Sequence, residues 1–500
     1  MNGLLYFLIN TFFLCVKTGH LFRAHLFIFG FMKKPFLLQQ YFKNVRIFLL
    51  LALIILVTSC STTRTNKASN INERWSQKMV ESHGLKDFYT NRVLHDQLAT
   101  TGWDYVTGLI AISVLKAWEQ YPEKSEYYTA VKSFADRNIN TDGTKIIRSS
   151  GESALGPSNI DDLAAGRIFF TLYTEELKRG NTKDAMRYKN AATLIRNTLK
   201  HEHARIEEGL PGEGGFIHKA QYPNQMWLDG LYMGAPVYAL WQSHFGATNT
   251  VDNHQSWTDI AQQFKILHKY TYDAAKQLNY HAWSATPNDA NSFWANKTGP
   301  FTGTSKEFWG RGMGWYFAAL VDVLEVMPKD HADYNDIRTI YQQVAAGLKR
   351  WQENKSGVWY QLLQYDSTTT GDGKGDLLNG KTYNVCTTAN YLEASASSIF
   401  TYSFLKGMRL GLLDKSTYKL TAEKAYSGLV NTFIRKQDSG INIIQSCASA
   451  GLGPARSPAR SGTINYYLCG PDVAIVKNEG KAIGTFILAS VEWERYLQGN

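Results

Sequence analysis

The chain has 500 residues, enough for two or three average domains or for one large helical barrel, so length alone leaves the fold open. Its formal net charge of +10 invites a nucleic-acid reading, but Lys17, Arg23, Lys33, Lys34, Lys43 and Arg46 all precede Cys60 and no Asp or Glu does; the remainder has 47 basic against 43 acidic residues, a balance of +4. No basic run with interleaved aromatics follows, which argues against nucleic acid as a partner, whereas 13 Trp, 28 Tyr and 25 Phe suit a large packed core or an aromatic-lined pocket for a flat or sugar-like ligand.

Residues 1–31 carry an apolar stretch, LLYFLINTFFLCV, that reads as the product of an upstream start codon, with Met32 as the true start. From Met32, positive charges lead into the apolar run Ile47 to Val57, the pattern of a secretory signal. Val57-Thr58-Ser59-Cys60 resembles the lipobox of bacterial lipoproteins, so cleavage before Cys60 would leave a lipidated cysteine at the mature N-terminus. Ser61, where an Asp would retain the protein at the inner membrane, favours the outer one. A retained transmembrane anchor is the alternative, but the run is short for a full span. The expected organisation is a signal segment over 1–59, a polar tether over 60–75 and one folded domain over 76–500, on the periplasmic side of a membrane and attached to it by lipid alone.

Beyond the tether, apolar residues recur with the helical period in twelve segments. In chain order these are Glu73 to Ser82, Asp104 to Gln120, Glu123 to Arg137, Asn159 to Lys178, Lys183 to His201 and Gln225 to Trp241. His254 to Gln277, Phe308 to Val326, Tyr334 to Gln352, Ala389 to Leu412, Thr417 to Arg435 and Gly480 to Leu497 complete the set. Every second helix opens on a stretch rich in aromatic, Gly or acidic residues: GWDYVTG, SNIDDLAAG, QMWLDGLYMG, FWGRGMGWY, NYLEASAS and NEGKAIG. The helices between them are more polar, as in TKDAMRYKNAATLIRNTLK. Apolar helices alternating with amphipathic ones predict an all-α fold, an inner ring inside an outer ring, closed as the (α/α)6 barrel of six hairpins. An open solenoid of hairpins is the alternative, disfavoured by the unequal spacing of the special stretches. Long Gly-rich connections at Leu210 to Gln225, Asn279 to Phe308 and Tyr365 to Thr388 each precede an inner helix, and loops of this length usually carry function or cover a site.

Three cysteines, Cys386, Cys447 and Cys469, remain in the mature chain, with no CxxC or Cys/His cluster of metal-binding spacing, so no metal or organic cofactor is expected. A Cys447–Cys469 disulfide and free buried thiols both stay open.

The chemistry-bearing candidates sit where inner helices begin. Asp229 stands among Met226, Trp227, Leu228, Leu231, Tyr232 and Met233, where a bare carboxylate is costly to desolvate. A helix N-terminus stabilises its anion while apolar neighbours raise its pKa, and a carboxyl between these pressures could exchange a proton near neutral pH. A capping aspartate is the plain alternative. Asp161, with Asp162 beside it, opens another inner helix and is the candidate partner of Asp229. Around them lie His218, His281, Trp309, Trp315 and Arg311, whose guanidinium could hold a substrate carboxylate by a bidentate pair.

GGFIHKAQYPNQMWLDGLYM, YHAW, FWGRGMGWY, SGVWYQLL, NYLEASASSIFTY and EGKAIGTFILA, in this order, resemble the unsaturated rhamnogalacturonyl hydrolases of glycoside hydrolase family 105 and the related unsaturated glucuronyl hydrolases of family 88. The likeness runs from about Trp103 to the C-terminus and implies the same (α/α)6 barrel. It also implies a substrate, the 4,5-unsaturated uronic acid at the nonreducing end of oligosaccharides left by polysaccharide lyases, from pectin in the first instance. The implied reaction protonates carbon 4 of the vinyl ether and adds water at carbon 5, after which the hemiketal opens and expels the rest of the chain. By resemblance Asp229 is the catalytic acid and then the base, Asp161 is the second catalytic aspartate, and His218, Trp227, His281, Trp309, Arg311 and Trp315 contact the sugar. An alignment slipped by one would put Asp162 in place of Asp161. Gly230 and Ala165 depart from the family pattern, where a larger polar residue and a proline are usual, and the loop between His281 and Trp309 is lengthened. The choice between galacturonyl and glucuronyl substrates, the linkage and the aglycone stay open, a monomer is expected, and a glycan-binding lipoprotein without activity is the reading from another class.

Overall fold

The computed structural model describes residues 84–499 apart from 149, 248, 249, 438 and 439. The signal segment, Cys60, the tether and the expected helix Glu73 to Ser82 lie outside the described residues. Among the described residues, no helix is long and apolar enough to cross a membrane.

The helices pair as hairpins. In chain order they are α1 (Tyr105–Gln120), α2 (Ser125–Arg137), α3 (Ile168–Lys178), α4 (Thr182–Asn197), α5 (Leu228–Phe245) and α6 (Val251–Thr271). Then come α7 (Gly310–Val326), α8 (Tyr334–Arg350), α9 (Ala394–Arg409), α10 (Lys415–Phe433), a short α11 (Ile464–Cys469) and α12 (Gly480–Leu497). A 3-10 segment, Ile160–Arg167, leads into α3, and the pair acts as one inner element. Around the inner ring, α1 packs on the 3-10 segment, that segment on α5, α5 on α7, α7 on α9 and α9 on α12, which returns to α1. The ring is therefore closed, which is the (α/α)6 barrel and excludes the open solenoid.

Sequence pattern explains which helix goes where. In α5 every residue from Leu228 to Ala239 is buried, and in α12 every residue from Gly480 to Glu494, as inner helices require. In α8 only one face is buried, Tyr334, Ile337, Ile340, Tyr341, Val344, Ala345, Gly347 and Leu348, the stripe of an outer helix. The sixth outer position is filled by residues 84–98, helical throughout, which the sequence reading left out. Leu85, Tyr89, Val93, Leu94 and Leu98 form its buried stripe, and Tyr89 meets Phe486 of α12 edge-on. One crossing is especially close: a Cβ on Gly108 of α1 would lie 2.4 Å from the Cβ of Ala165. Ala165, small at that point, lets the two inner elements touch.

Several predicted helices begin late because loop backbone is used for pairing. Gln225–Trp227, expected as the first turn of a helix, is a strand (β1) antiparallel to Ala282–Ser284 (β2), with Trp227 opposite Ala282. The predicted helix to Gln277 stops at Thr271, and Tyr272–Asp273 pairs with Leu278–Asn279 instead. The disulfide joins Cys386 to Cys469, while Cys447 is free and buried, which corrects the Cys447–Cys469 possibility. Cys447 lies in a short strand paired with Ile475–Val476, so its thiol is held away from Cys469.

Charges buried at the C-terminal end of the inner ring tie its helices together. Asp322 of α7 meets Arg167 at 2.5 Å and Lys406 of α9 at 2.6 Å, and Lys406 also reaches Glu325 at 2.7 Å. Burial opposes the charge on Asp322, but Lys406 and Arg167 outweigh it and hold the carboxyl down at about 2; Lys406 likewise overcomes burial at Glu325 and brings it to about 2. Groups with depressed folded pKa values stabilise the fold fully above their unfolded pKa, about 4, and lose that contribution as pH falls toward 2. Urea unfolding should therefore show stability declining between about pH 5 and pH 2. Asp322→Asn should remove about 3–5 kcal/mol at pH 7 by leaving Arg167 and Lys406 buried without a counter-charge.

Candidate active site

The inner elements bring their N-terminal ends to one mouth, where Asp104, Glu393 and Glu479 cap α1, α9 and α12 by accepting backbone N–H groups. There a cavity of about 200 Å³ opens between the 3-10 segment, α5, α7 and residues Ser449 to Arg460 of a C-terminal loop. That is smaller than the ~300–1,000 Å³ of drug-sized sites and matches a single ring.

Asp229, in the first turn of α5, is 8% exposed and lines this cavity. Its position follows from the strand pair beneath it. After Trp227 pairs with Ala282, the Leu228 N–H donates to the His281 carbonyl at 3.0 Å, so the chain turns into α5 with Asp229 beside the His281 ring. Asp229 Oδ2 lies 3.0 Å from His281 Nε2, and His281 Nδ1 lies 2.6 Å from the Tyr467 hydroxyl. His281 thus bridges the two, with Nε2 donating to the carboxylate and Nδ1 paired with the Tyr467 hydroxyl. Burial pushes the Asp229 carboxyl up, but His281, His218 and Arg311 outweigh it and leave its pKa below the ordinary carboxylate range. Asp229 is therefore an anion at neutral pH, where the sequence leads to a group exchanging its proton there; the histidine behind it, invisible in local sequence, makes the difference.

Asp161 also lines the cavity, and Asn159 caps its segment by accepting the Asp161 N–H. Lys219 Nζ sits 2.6 Å from Asp161 Oδ2, while Oδ1 is buried and faces His218 Nε2 at 3.6 Å. Asp162 points elsewhere, toward Arg148 at 3.3 Å, so of the two neighbours it is Asp161 that shares the cavity with Asp229.

Aromatic rings form one wall. His218 stacks on Trp227 at 4.5 Å and 10°, and Tyr222 covers the same indole at 4.6 Å. Burial lowers the His218 pKa to about 4 despite Asp161 nearby, so its ring is neutral at pH 7. Gly230 now has a reason: a Cβ there would come within 3.3 Å of His218 Nδ1. Trp309 and Trp315 line the cavity as well, the latter packed on Tyr232 at 4.6 Å.

Two expected sugar contacts are placed differently. His281 is 0% exposed and sits behind Asp229 rather than on the cavity wall. Arg311 reaches the cavity, but its fork is engaged: Nη1 donates to the Cys447 carbonyl at 2.5 Å and to Ser395 Oγ at 3.3 Å, and Nη2 to the Ala448 carbonyl at 3.5 Å. The bidentate carboxylate pair expected of it is thus occupied by backbone. Tyr105, Lys219, Tyr222, Ser449, Gly451 and Arg460 line the cavity and were not singled out from sequence. Lys219 directly follows His218 and could have been inferred from that spacing; the 447–460 loop, rich in Ala, Gly and Ser, carries no comparable signal.

A larger cavity, about 470 Å³, lies at the other end of the ring beside Arg167, Asp322 and Lys406. Its innermost carboxylates, Asp322 and Glu325, are locked to cations, which suits a structural clamp and not acid–base chemistry. Among the described residues, no group of three or more His, Cys, Asp or Glu is arranged to hold a metal ion.

A closed helical toroid with paired acids and stacked aromatics at one mouth is the architecture of a carbohydrate-active enzyme, and known proteins bear this out. The family model described as Glycosyl Hydrolase Family 88 matches residues 75–372 and 383–497, leaving 373–382 outside the match. A solved structure described as a glycoside hydrolase from family 105 of C. acetobutylicum ATCC 824 is 36% identical, with a TM-score of 0.66, covering 82% of this chain and 99% of that one. Protein Atu3128 of Agrobacterium fabrum is 31% identical over 238 residues, 47% of this chain and 89% of that protein. The unsaturated 3S-rhamnoglycuronyl hydrolase of Formosa agariphila is 25% identical over 250 residues, 49% of this chain and 57% of that protein. The chain belongs to the glycoside hydrolases of families 88 and 105, the unsaturated glycuronyl hydrolases.

Replacing His281 with Ala should raise the Asp229 pKa, because the depressing partner is gone while burial remains. Carboxyl NMR titration of the variant checks this: the Asp229 resonance should titrate at higher pH than in the parent protein.

Proposed function

We propose that this enzyme removes 4,5-unsaturated uronic acid from the nonreducing end of lyase-generated oligosaccharides, with rhamnogalacturonan and pectin fragments as the first substrates to test. The observation that carries the reading is Asp229, a buried carboxyl on the wall of a ring-sized cavity, oriented by His281.

Asp229 must be protonated to deliver a hydrogen to carbon 4, yet its partners hold its pKa below the ordinary carboxylate range. Entry of the substrate supplies what is missing. A uronate carboxylate brought into the same small cavity repels the Asp229 charge, and expulsion of water penalises it further; both raise its pKa. Asp229 then takes up a proton as the sugar binds, transfers it to carbon 4 and, as the carboxylate, draws a proton from the water that adds at carbon 5. His281 holds Asp229 Oδ2 and does not itself touch the sugar. Asp161, paired with Lys219 on the same cavity wall, adds negative charge that stabilises the oxocarbenium-like transition state. Trp227, Trp309 and Trp315 supply faces for the ring, with His218 holding the Trp227 indole flat.

For localisation we infer a lipid-anchored periplasmic enzyme. The run ending at Val57-Thr58-Ser59-Cys60 supports it, and the Cys386–Cys469 disulfide suits an oxidising compartment. A capture protein without activity has lost its footing, since the chain is a glycoside hydrolase.

The test follows the loss of absorbance of the conjugated uronate on lyase products from pectin, heparin, chondroitin and ulvan. Turnover on the pectin products is expected; decay confined to glycosaminoglycan fragments would replace that substrate assignment, and no decay on any product would overturn the reading. Asp229→Asn should lower kcat by about 10²–10⁴-fold or more while calorimetry still detects sugar binding. Since the acid form is needed and the free carboxyl is depressed, kcat/KM should fall as pH rises through the acidic range, and the falling limb of kcat should lie at higher pH than that of kcat/KM.

A further inference from the structure

The ten residues left outside the family match, 373–382, carry most of a hairpin that packs on the C-terminal loop next to Arg460, a residue of the cavity wall. Asp376–Leu378 pairs with Lys381–Tyr383 across an Asn379-Gly380 turn, both residues at positive φ as a tight two-residue hairpin needs. The outward side is exposed, Leu377 by 74%, but the inward side carries a dense set of polar contacts to the C-terminal loop. Asp376 accepts from Ser461 Oγ at 2.6 Å and from Thr463 Oγ1 at 2.8 Å, and Asn384 Nδ2 donates to the Ala459 carbonyl at 2.6 Å. The Cys386–Cys469 disulfide closes the base of the same unit.

The residues gripped, Ala459 and Ser461, flank Arg460. Of the three cationic side chains on the cavity wall, Arg311 has its fork on backbone carbonyls and Lys219 is bound to Asp161. Arg460 differs. It is 31% exposed, its Nη2 meets Asp472 at 2.7 Å, and its Nη1 lies a long 3.4 Å from the Tyr222 hydroxyl at the cavity wall. A guanidinium presented this way can take a carboxylate in place of that weak contact.

We infer that Arg460 is the residue that receives the uronate carboxylate, and that the inserted hairpin, through Asp376 and with Asn384 just beyond its second strand, is the device that positions it. The inference rests on the unsaturated-uronate reading and assigns to Arg460 the part that sequence gave to Arg311. Thr463 extends the effect: it caps α11, whose Tyr466 hydroxyl accepts the Gly451 N–H at 2.7 Å, so the hairpin also steadies the backbone beside Trp227.

The test compares p-nitrophenyl glycosides of the unsaturated uronic acid, as free acid and as methyl ester. Arg460→Ala should raise KM for the acid about tenfold or more and leave KM for the ester within about twofold, with Arg460→Lys in between. Asp376→Ala should shift the acid-to-ester KM ratio in the same direction by less, with kcat on the ester nearly unchanged, and Asp376→Asn should recover part of the shift. Hydrogen exchange of the full chain should show faster exchange over 447–463 in Asp376→Ala and no change over 105–350. Equal effects on acid and ester, or unaltered exchange over 447–463, would overturn the inference. If the parent enzyme cleaves neither glycoside, it is the uronate reading that fails; calorimetry with the unsaturated uronate monosaccharide, parent against Arg460→Ala, together with the exchange measurement, then decides the role of Arg460 and the hairpin separately.

Discussion

A carboxylate withdrawn from water must be given partners, and in this protein that requirement organises the mouth of the barrel. Asp229 is held by His281, which is held by Tyr467, and each comes from a different part of the chain: the start of α5, the residue just before β2 and the short helix α11. The three meet because β1 and β2 pair in a register that places the His281 carbonyl against the first N–H of α5. A slip of one residue would turn Trp227 and His281 to the wrong faces and leave Asp229 buried alone, which the interior does not tolerate. Three residues of strand at the head of a helix are therefore as important to the site as the helix itself.

The closed ring supplies the second condition. Inner helices buried on all sides have to end somewhere, and their N–H-bearing termini converge where the substrate enters. Side chains on separate hairpins can then face one small cavity, Asp161 from the 3-10 segment, Asp229 from α5 and Trp309 with Arg311 from the start of α7. The outer helices, polar on their exposed face, contribute packing and little chemistry. Loops frame this mouth, and the 373–382 hairpin is the clearest instance, since it is outside the family match yet its Asp376 is bonded to Ser461, next to Arg460.

Periodicity carries the architecture far. Alternation of apolar and amphipathic helices was legible, as were the inner-helix openings that hold Asp161, Asp229, Trp309 and Trp315, and α12 begins and ends at the expected residues. Failures cluster where local pattern and tertiary pairing disagree. Gln225–Trp227 has the apolar look of a helix start but is drawn into a strand by Ala282–Ser284, more than fifty residues away. The helix over 84–98 escapes the sequence reading because its apolar stripe is broken by charged residues. Arg311 was assigned a ligand because a guanidinium near aromatics suggests one, and only coordinates reveal the carbonyls of Cys447 and Ala448 in its fork. Cysteine pairing was beyond reach, since three thiols with no motif fix no partner. The lowered pKa of Asp229 depended on a histidine fifty-two positions away.

Two sets of ionic groups sit at opposite ends of the barrel. Arg167, Asp322, Glu325 and Lys406 fasten the helices at one end, while Asp161, Lys219, Asp229 and Arg460 occupy the other. α7, which runs between the two, carries Arg311 at its mouth end and Asp322 eleven residues further on, a separation of about 17 Å of helix rise across which a changed charge is felt only weakly. Mutational drift at the entrance can thus alter charge and recognition without loosening the fastening below, so a lineage carrying this scaffold is free to change diet while keeping its frame.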